Sequence, residues 1–82
     1  LRTEAAEARE LLQSAPADPW TLGVLAERVH LSPKQLTRVF VEAYGKTPLA
    51  YLTMLRVEHM ARLLRDGEMN VTAAGKAAGW SS

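Results

Sequence analysis

Lys34, Thr37 and Arg38 stand at i, i+3 and i+4, a spacing that gathers all three on one face if the segment is helical. That face is polar, basic and rich in hydrogen-bond donors, as a helix lying in a major groove requires. The opposite face carries Leu36, Val39 and Phe40 at helical spacing, which would seat the helix on a core. No other constellation in the chain has comparable definition. There is no Gly-rich phosphate loop, no carboxylate pair and no nucleophile with an adjacent base, so no catalytic residue is assigned and an enzyme is not expected. His59 has no second ligand at metal spacing, and Glu58-His59 belongs to no zinc signature. No metal ion or cofactor is expected.

The elements that must position this face follow from punctuation in the sequence. Nothing alternates like a strand, and turn signals divide the chain into five helical pieces. The first spans roughly Arg2 to Ser14, with apolar residues at Leu1, Ala5, Ala8 and Leu12 and Pro16 just beyond its end. Trp20 precedes Thr21, a natural N-cap, and the second helix runs from about Leu22 to Val29. Ser32 caps the third, with Pro33 at the first helical position, where its missing N–H does no harm. That helix ends at Tyr44 before Gly45.

Thr47-Pro48 repeats the cap-then-proline start, and the fourth helix reaches about Arg65 before Gly67. It would be roughly 28 Å long. Its apolar residues cover far more than one stripe, which predicts neighbours packed on both sides. The fifth runs from Asn70 to about Ala78, is rich in small residues and stops at Gly79. Trp20, Phe40, Tyr44, Tyr51 and Trp80 are expected in the core or at its edge.

Composition limits what such a bundle can be. The chain has 82 residues, 48% of them hydrophobic, and no cysteine, which excludes disulfides, a thiolate nucleophile and cysteine zinc sites. A domain this short should bury about 60% of its unfolded surface and leaves little room for a deep pocket. The longest uncharged stretch, Thr47 to Leu55, is far too short for a bilayer, so no membrane partner is expected and the reading is cytoplasmic. The chain does not begin with Met and reads as a piece of a longer protein. Its net charge of +1 conceals a gradient. Three basic residues against five acidic leave residues 1–30 at −2, whereas seven against four leave residues 31–82 at +3.

The second and third helices, joined by a three-residue turn, have helix-turn-helix spacing. Ala26 supplies the small residue where the two helices cross. Four residues later the turn calls for a left-handed backbone, usually glycine; His30 occupies that position, and histidine tolerates it better than most. A shift of 49 residues brings the pattern round again. Thr21 meets Asn70, Leu25 meets Ala74, Ala26 meets Gly75, Val29 meets Ala78, His30 meets Gly79, Leu31 meets Trp80 and Ser32 meets Ser81. The roles match: cap, core, small crossing residue, core, turn, core, cap. The recurrence stops at Ser82, so residues 1–66 are read as one whole motif with its long helix and 67–82 as the first half of a second.

These residues resemble the DNA-binding domain of the AraC/XylS transcription regulators. The resemblance rests on Trp20-Thr21-Leu22-x-x-Leu25-Ala26, Leu31-Ser32-Pro33-x-x-Leu36-x-Arg38-Val39-Phe40, and Gly45-Lys46-Thr47-Pro48-x-x-Tyr51-Leu52-x-x-Leu55-Arg56. Ala61, Leu64, Val71-Thr72 and Gly79-Trp80-Ser81-Ser82 extend it over nearly everything from Trp20 onward. It implies an all-α, homeodomain-like bundle: seven helices in two helix-turn-helix units joined by a long central helix, which sets the recognition helices about 34 Å apart. It also implies base contacts from Lys34, Thr37 and Arg38, with Arg38 on a guanine, and phosphate contacts from Thr21, Ser32 and Gln35. Double-stranded DNA is the implied partner, with RNA polymerase as a further one. An effector-sensing or dimerisation domain would lie outside these 82 residues. The chain departs from the family at His30, at Ala74-Gly75, which implies a looser second unit, and in ending before a second recognition helix; weak, mostly nonspecific DNA binding by these residues alone is therefore expected.

Residue pattern by itself leaves an alternative open: a small helical protein–protein interaction module without DNA readout. There the Lys34, Thr37 and Arg38 face would simply be solvated. Arg56, Arg62 and Arg65 are likewise read as solvated or paired with Glu58 and Asp66 rather than as phosphate contacts.

Overall fold

In the computed structural model, residues 3–67 and 70–80 are described, and among them lie five helices. These are α1 (Thr3–Ser14), α2 (Leu22–Arg28), α3 (Pro33–Tyr44), α4 (Pro48–Arg65) and α5 (Val71–Ala77). No strand occurs among the described residues. The expectations for Leu1 and Arg2 in the first helix, and for Ser81 as a second cap, lie outside them.

Each helix after the first begins on the cap its sequence announces. Thr21, Ser32, Thr47 and Asn70 have extended backbone, and each side-chain oxygen accepts from the amide three residues on, at 3.1, 3.1, 3.2 and 2.8 Å. That bond satisfies an amide which the helix leaves without an internal partner. Gly45 and Gly67, expected as stops, both have positive φ, at 76° and 72°.

Helices of seven residues, such as α2, are not stable alone in water; tertiary burial holds them. Leu25, Ala26 and Val29 of the α2 segment join Ala8 and Leu12 of α1, Leu36 and Phe40 of α3, and Leu52 of α4 in one buried cluster. Phe40 sits at its centre, fully buried, with Tyr44 and Tyr51 edge-on at 4.9 and 5.6 Å. The guanidinium of Arg9 lies over the Tyr44 ring at 4.9 Å, and Gln13 donates to the Tyr51 hydroxyl at 2.9 Å. Trp20, Tyr44, Tyr51 and Trp80 are partly buried, at the core edge as expected.

The long helix α4 packs against α1 and α3 and also against α5. Two-sided packing is therefore real but incomplete. Leu49, Val57 and Leu64 remain 43%, 52% and 37% exposed. The reason is length: a seven-residue helix covers about 10 Å of an axis roughly 27 Å long.

Candidate nucleic-acid interface

The turn between α2 and α3 closes on two backbone bonds. His30 N–H donates to Glu27 O at 3.2 Å, and Leu31 N–H donates to Ala26 O at 3.0 Å. This pair of bonds is the Schellman arrangement, which needs a left-handed residue just past the helix end. His30 fills that position with φ 62°, the one non-glycine residue of positive φ among those described. Ala26, 1% exposed, lets the two helices approach.

With the turn fixed, α3 has one orientation. Leu36 and Phe40 are fully buried and Val39 partly so, which turns Lys34 and Arg38 to solvent. Ser32, Lys34, Gln35 and Arg38 line a shallow, open depression at the start of the helix. The structure thus brings four of the six predicted contact residues together. Thr37 belongs to the same face but is half-buried, and its hydroxyl donates to Pro33 O at 3.0 Å. Toward a ligand it presents only acceptor lone pairs and a methyl group. Thr21 lies at the cap of α2, outside this depression.

Ser32 and Gln35 also hold each other at the helix start. Ser32 Oγ accepts from Gln35 N–H while Gln35 Oε1 accepts from Ser32 N–H, each at 3.1 Å. This reciprocal capping box leaves the serine O–H and the glutamine NH₂ free to donate outward. The sequence carries its signal, a serine followed three residues later by glutamine.

The 49-residue recurrence extends to individual backbone bonds. The bonds of Leu25 to Thr21, Val29 to Leu25, His30 to Glu27 and Leu31 to Ala26 reappear as Ala74 to Asn70, Ala78 to Ala74, Gly79 to Lys76 and Trp80 to Gly75. Each donor and each acceptor is displaced by 49 positions. Gly79 has φ 106° where His30 has 62°. Two copies of the same helix-turn unit therefore flank α4.

Of the α4 arginines, Arg62 and Arg65 are exposed, as expected of solvated residues, whereas Arg56 differs. Arg56 is neither solvated nor paired with a carboxylate: its Nε donates to Pro16 O and its Nη2 to Asp18 O, both at 2.8 Å. Backbone carbonyls in a distant loop carry no sequence signature, so residue pattern could not reveal the pairing. Arg62 Nη2 lies 3.4 Å from His59 Nδ1.

A helix-turn-helix domain profile matches residues 25–82, more than half of the chain. The chain belongs to the AraC-type helix-turn-helix family. It is 39% identical over 64 residues to the regulatory protein PchR of Pseudomonas aeruginosa, covering 78% of this chain and 22% of that protein. It is 36% identical over 77 residues to an AraC-like transcription regulator of Streptomyces antibioticus, covering 94% of the chain and 25% of the relative. The transcriptional regulator AlkR of Acinetobacter baylyi is 28% identical along all 82 residues, which span 27% of AlkR. The chain thus spans about a quarter of the length of these relatives. No solved structure matches it significantly. Family membership makes this chain a DNA-binding domain of a bacterial transcription regulator.

Proposed function

We propose that α3 is a recognition helix and that this domain reads a DNA major groove through Lys34, Thr37 and Arg38. The observation that carries the reading is the exposed Lys34 and Arg38 face, held opposite the buried Leu36 and Phe40 by an intact helix-turn-helix turn. The Arg38 fork suits the O6 and N7 acceptors of guanine, and Lys34 adds a mobile point charge one turn earlier. Thr37, with its proton committed to Pro33 O, favours a thymine methyl or an amino donor of adenine or cytosine over a base acceptor. Thr21, Ser32 and Gln35 act on phosphates: Ser32 and Gln35 through the donors their capping box leaves free, and Thr21 through its hydroxyl proton.

In this reading residues 1–66 form one unit with its connecting helix, and 67–82 open a second. The domain acts by binding rather than by catalysis, in the cytoplasm, and among the described residues no helix is long and apolar enough to cross a membrane. RNA polymerase and an effector or dimerisation domain are further partners of this reading.

Selection of bound sequences from a random duplex pool, by a version extended past Ser82 and by its Arg38→Ala variant, tests it. Removing the Arg38 fork from a guanine costs about 1–3 kcal/mol at one base position and relaxes preference there alone. An unchanged preference in Arg38→Ala would remove the recognition assignment and favour a protein-binding module.

A further inference from the structure

Arg56 lies between the loop that leads into the first helix-turn unit and the turn of the second. On one side its guanidinium holds Pro16 O and Asp18 O, in the loop that leads directly to Thr21, the cap of α2. That loop is further fixed by Trp20, whose indole N–H donates to Ala15 O at 2.8 Å. On the other side lies Gly79, the turn residue of the second unit. A Cβ placed on Gly79 would fall 2.6 Å from Arg56 Nε, 2.9 Å from Ala17 Cα and 3.0 Å from Pro16 O. The left-handed backbone at Gly79 already favours glycine. The close approach is a separate fact, and it means that the second turn rests directly on the bonded Arg56 and its loop.

We infer that Arg56 is a positioning residue which sets the orientation of the second helix-turn unit relative to the first. Its purpose rests on the DNA reading, because two recognition helices serve one duplex only when their offset matches the groove repeat, about 34 Å. The chemistry explains the choice of arginine. A planar guanidinium can donate from two nitrogens to two carbonyls at once, in a fixed geometry; a lysine ammonium is a point charge on a flexible stem and does not define that plane. The joint is asymmetric in cause: α4 supplies the arginine, the loop before the first unit supplies the carbonyls, and the second unit supplies a surface with no Cβ.

The test uses no DNA, so it can fail without touching the DNA reading, and the reverse. Residual dipolar couplings for N–H and Cα–Hα pairs of α1–α3 and of α5 are measured in the 82-residue chain, in Arg56→Met, in Arg56→Lys and in the control Arg62→Met. Wild type and Arg62→Met should fit a single alignment frame across α1–α3 and α5. In Arg56→Met, α1–α3 and α5 should each fit their own helix geometry but require two different frames. The Gly79 and Trp80 amides should exchange roughly tenfold faster than in wild type. Arg56→Lys should restore the common frame only in part. A common frame in Arg56→Met at wild-type quality overturns the inference, even if the variant is less stable throughout, since a purely stabilising residue would give that result. Should Arg56→Met fail to fold, Arg56→Lys decides by the same couplings, and a fully common frame there overturns it.

Discussion

His30 is the residue at which backbone geometry and residue type disagree most, and substituting it separates two effects that usually travel together. With φ 62° it sits in the left-handed region, as Gly79 does at φ 106° in the recurring unit. A left-handed backbone costs an ordinary L-residue about 1–2 kcal/mol, and histidine falls toward the low end of that range. Glycine removes this cost but adds unfolded-state entropy of about 0.5–1 kcal/mol. The imidazole is exposed, so little packing disappears with it. His30→Gly should therefore change stability by between zero and about 1 kcal/mol in the favourable direction. His30→Val places a β-branched residue where such residues are genuine outliers and should lose about 1 kcal/mol or more. Urea unfolding followed by circular dichroism gives both values, provided the slope m stays constant. For a domain of this size each kcal/mol moves Tm by about 4–8 °C, so the two variants should melt at least roughly 4 °C apart and, at the upper end of the His30→Gly gain, about 8–16 °C apart. Loss of 1 kcal/mol or more in His30→Gly would refute the argument. It would mean that the imidazole stabilises the fold through the groove it lines with Glu7, Glu10 and Arg28.

Two further outcomes follow from the same geometry. Gly75 lies inside α5, and beyond its chain neighbours and the helix's own backbone no heavy atom stands within 4 Å of where a Cβ would be, so Gly75→Ala should stabilise by about 0.8–1 kcal/mol through helix propensity alone; a lower urea midpoint would show that the space is used. Ser32→Ala removes one half of the capping box and should cost about 1 kcal/mol in the same assay, with Gln35→Ala adding less than its own full cost once Ser32 is gone. Strict additivity of the two would mean that the box does not act as a unit.

Terminus signals made much of the fold legible. The bounds expected for α3 and α4 are those observed, because Ser32-Pro33, Thr47-Pro48 and Gly45 state their meaning locally. Helices α2 and α5 came out shorter by the residues that serve as caps: Val29, and Asn70 with Ala78. Cap residues are half in the helix, and periodicity does not tell them from members. The Lys34 and Arg38 face was legible for a related reason, since the buried Leu36 and Phe40 fix which way it points. What escaped was which partner a side chain finds, whether within its own helix or in a distant loop. The Thr37 hydroxyl bond to Pro33 O, the Arg56 bonds to Pro16 O and Asp18 O, and the exposed Val57 each depend on a neighbour that side-chain type does not name.

The two helix-turn units show which part of the pattern is fundamental. Four backbone hydrogen bonds of one unit recur in the other at corresponding positions, yet their cores differ. The first buries Leu25, Ala26 and Val29 against α1 and α3, whereas the second has Ala74, Gly75 and Ala78 at the same places. The frame is therefore set by a cap with a side-chain acceptor and a left-handed residue nine positions later, not by the volume between them. Volume decides instead what else the unit needs. Leucine and valine side chains remove enough apolar surface from water to hold a seven-residue helix. Alanines and a glycine remove far less, so α5 depends on the wall of α4 and on the contact of Gly79 with Arg56 and its loop. A unit with a weak core of its own has an orientation determined by its neighbours, and that dependence gives a single arginine on the connecting helix control over where the second unit points.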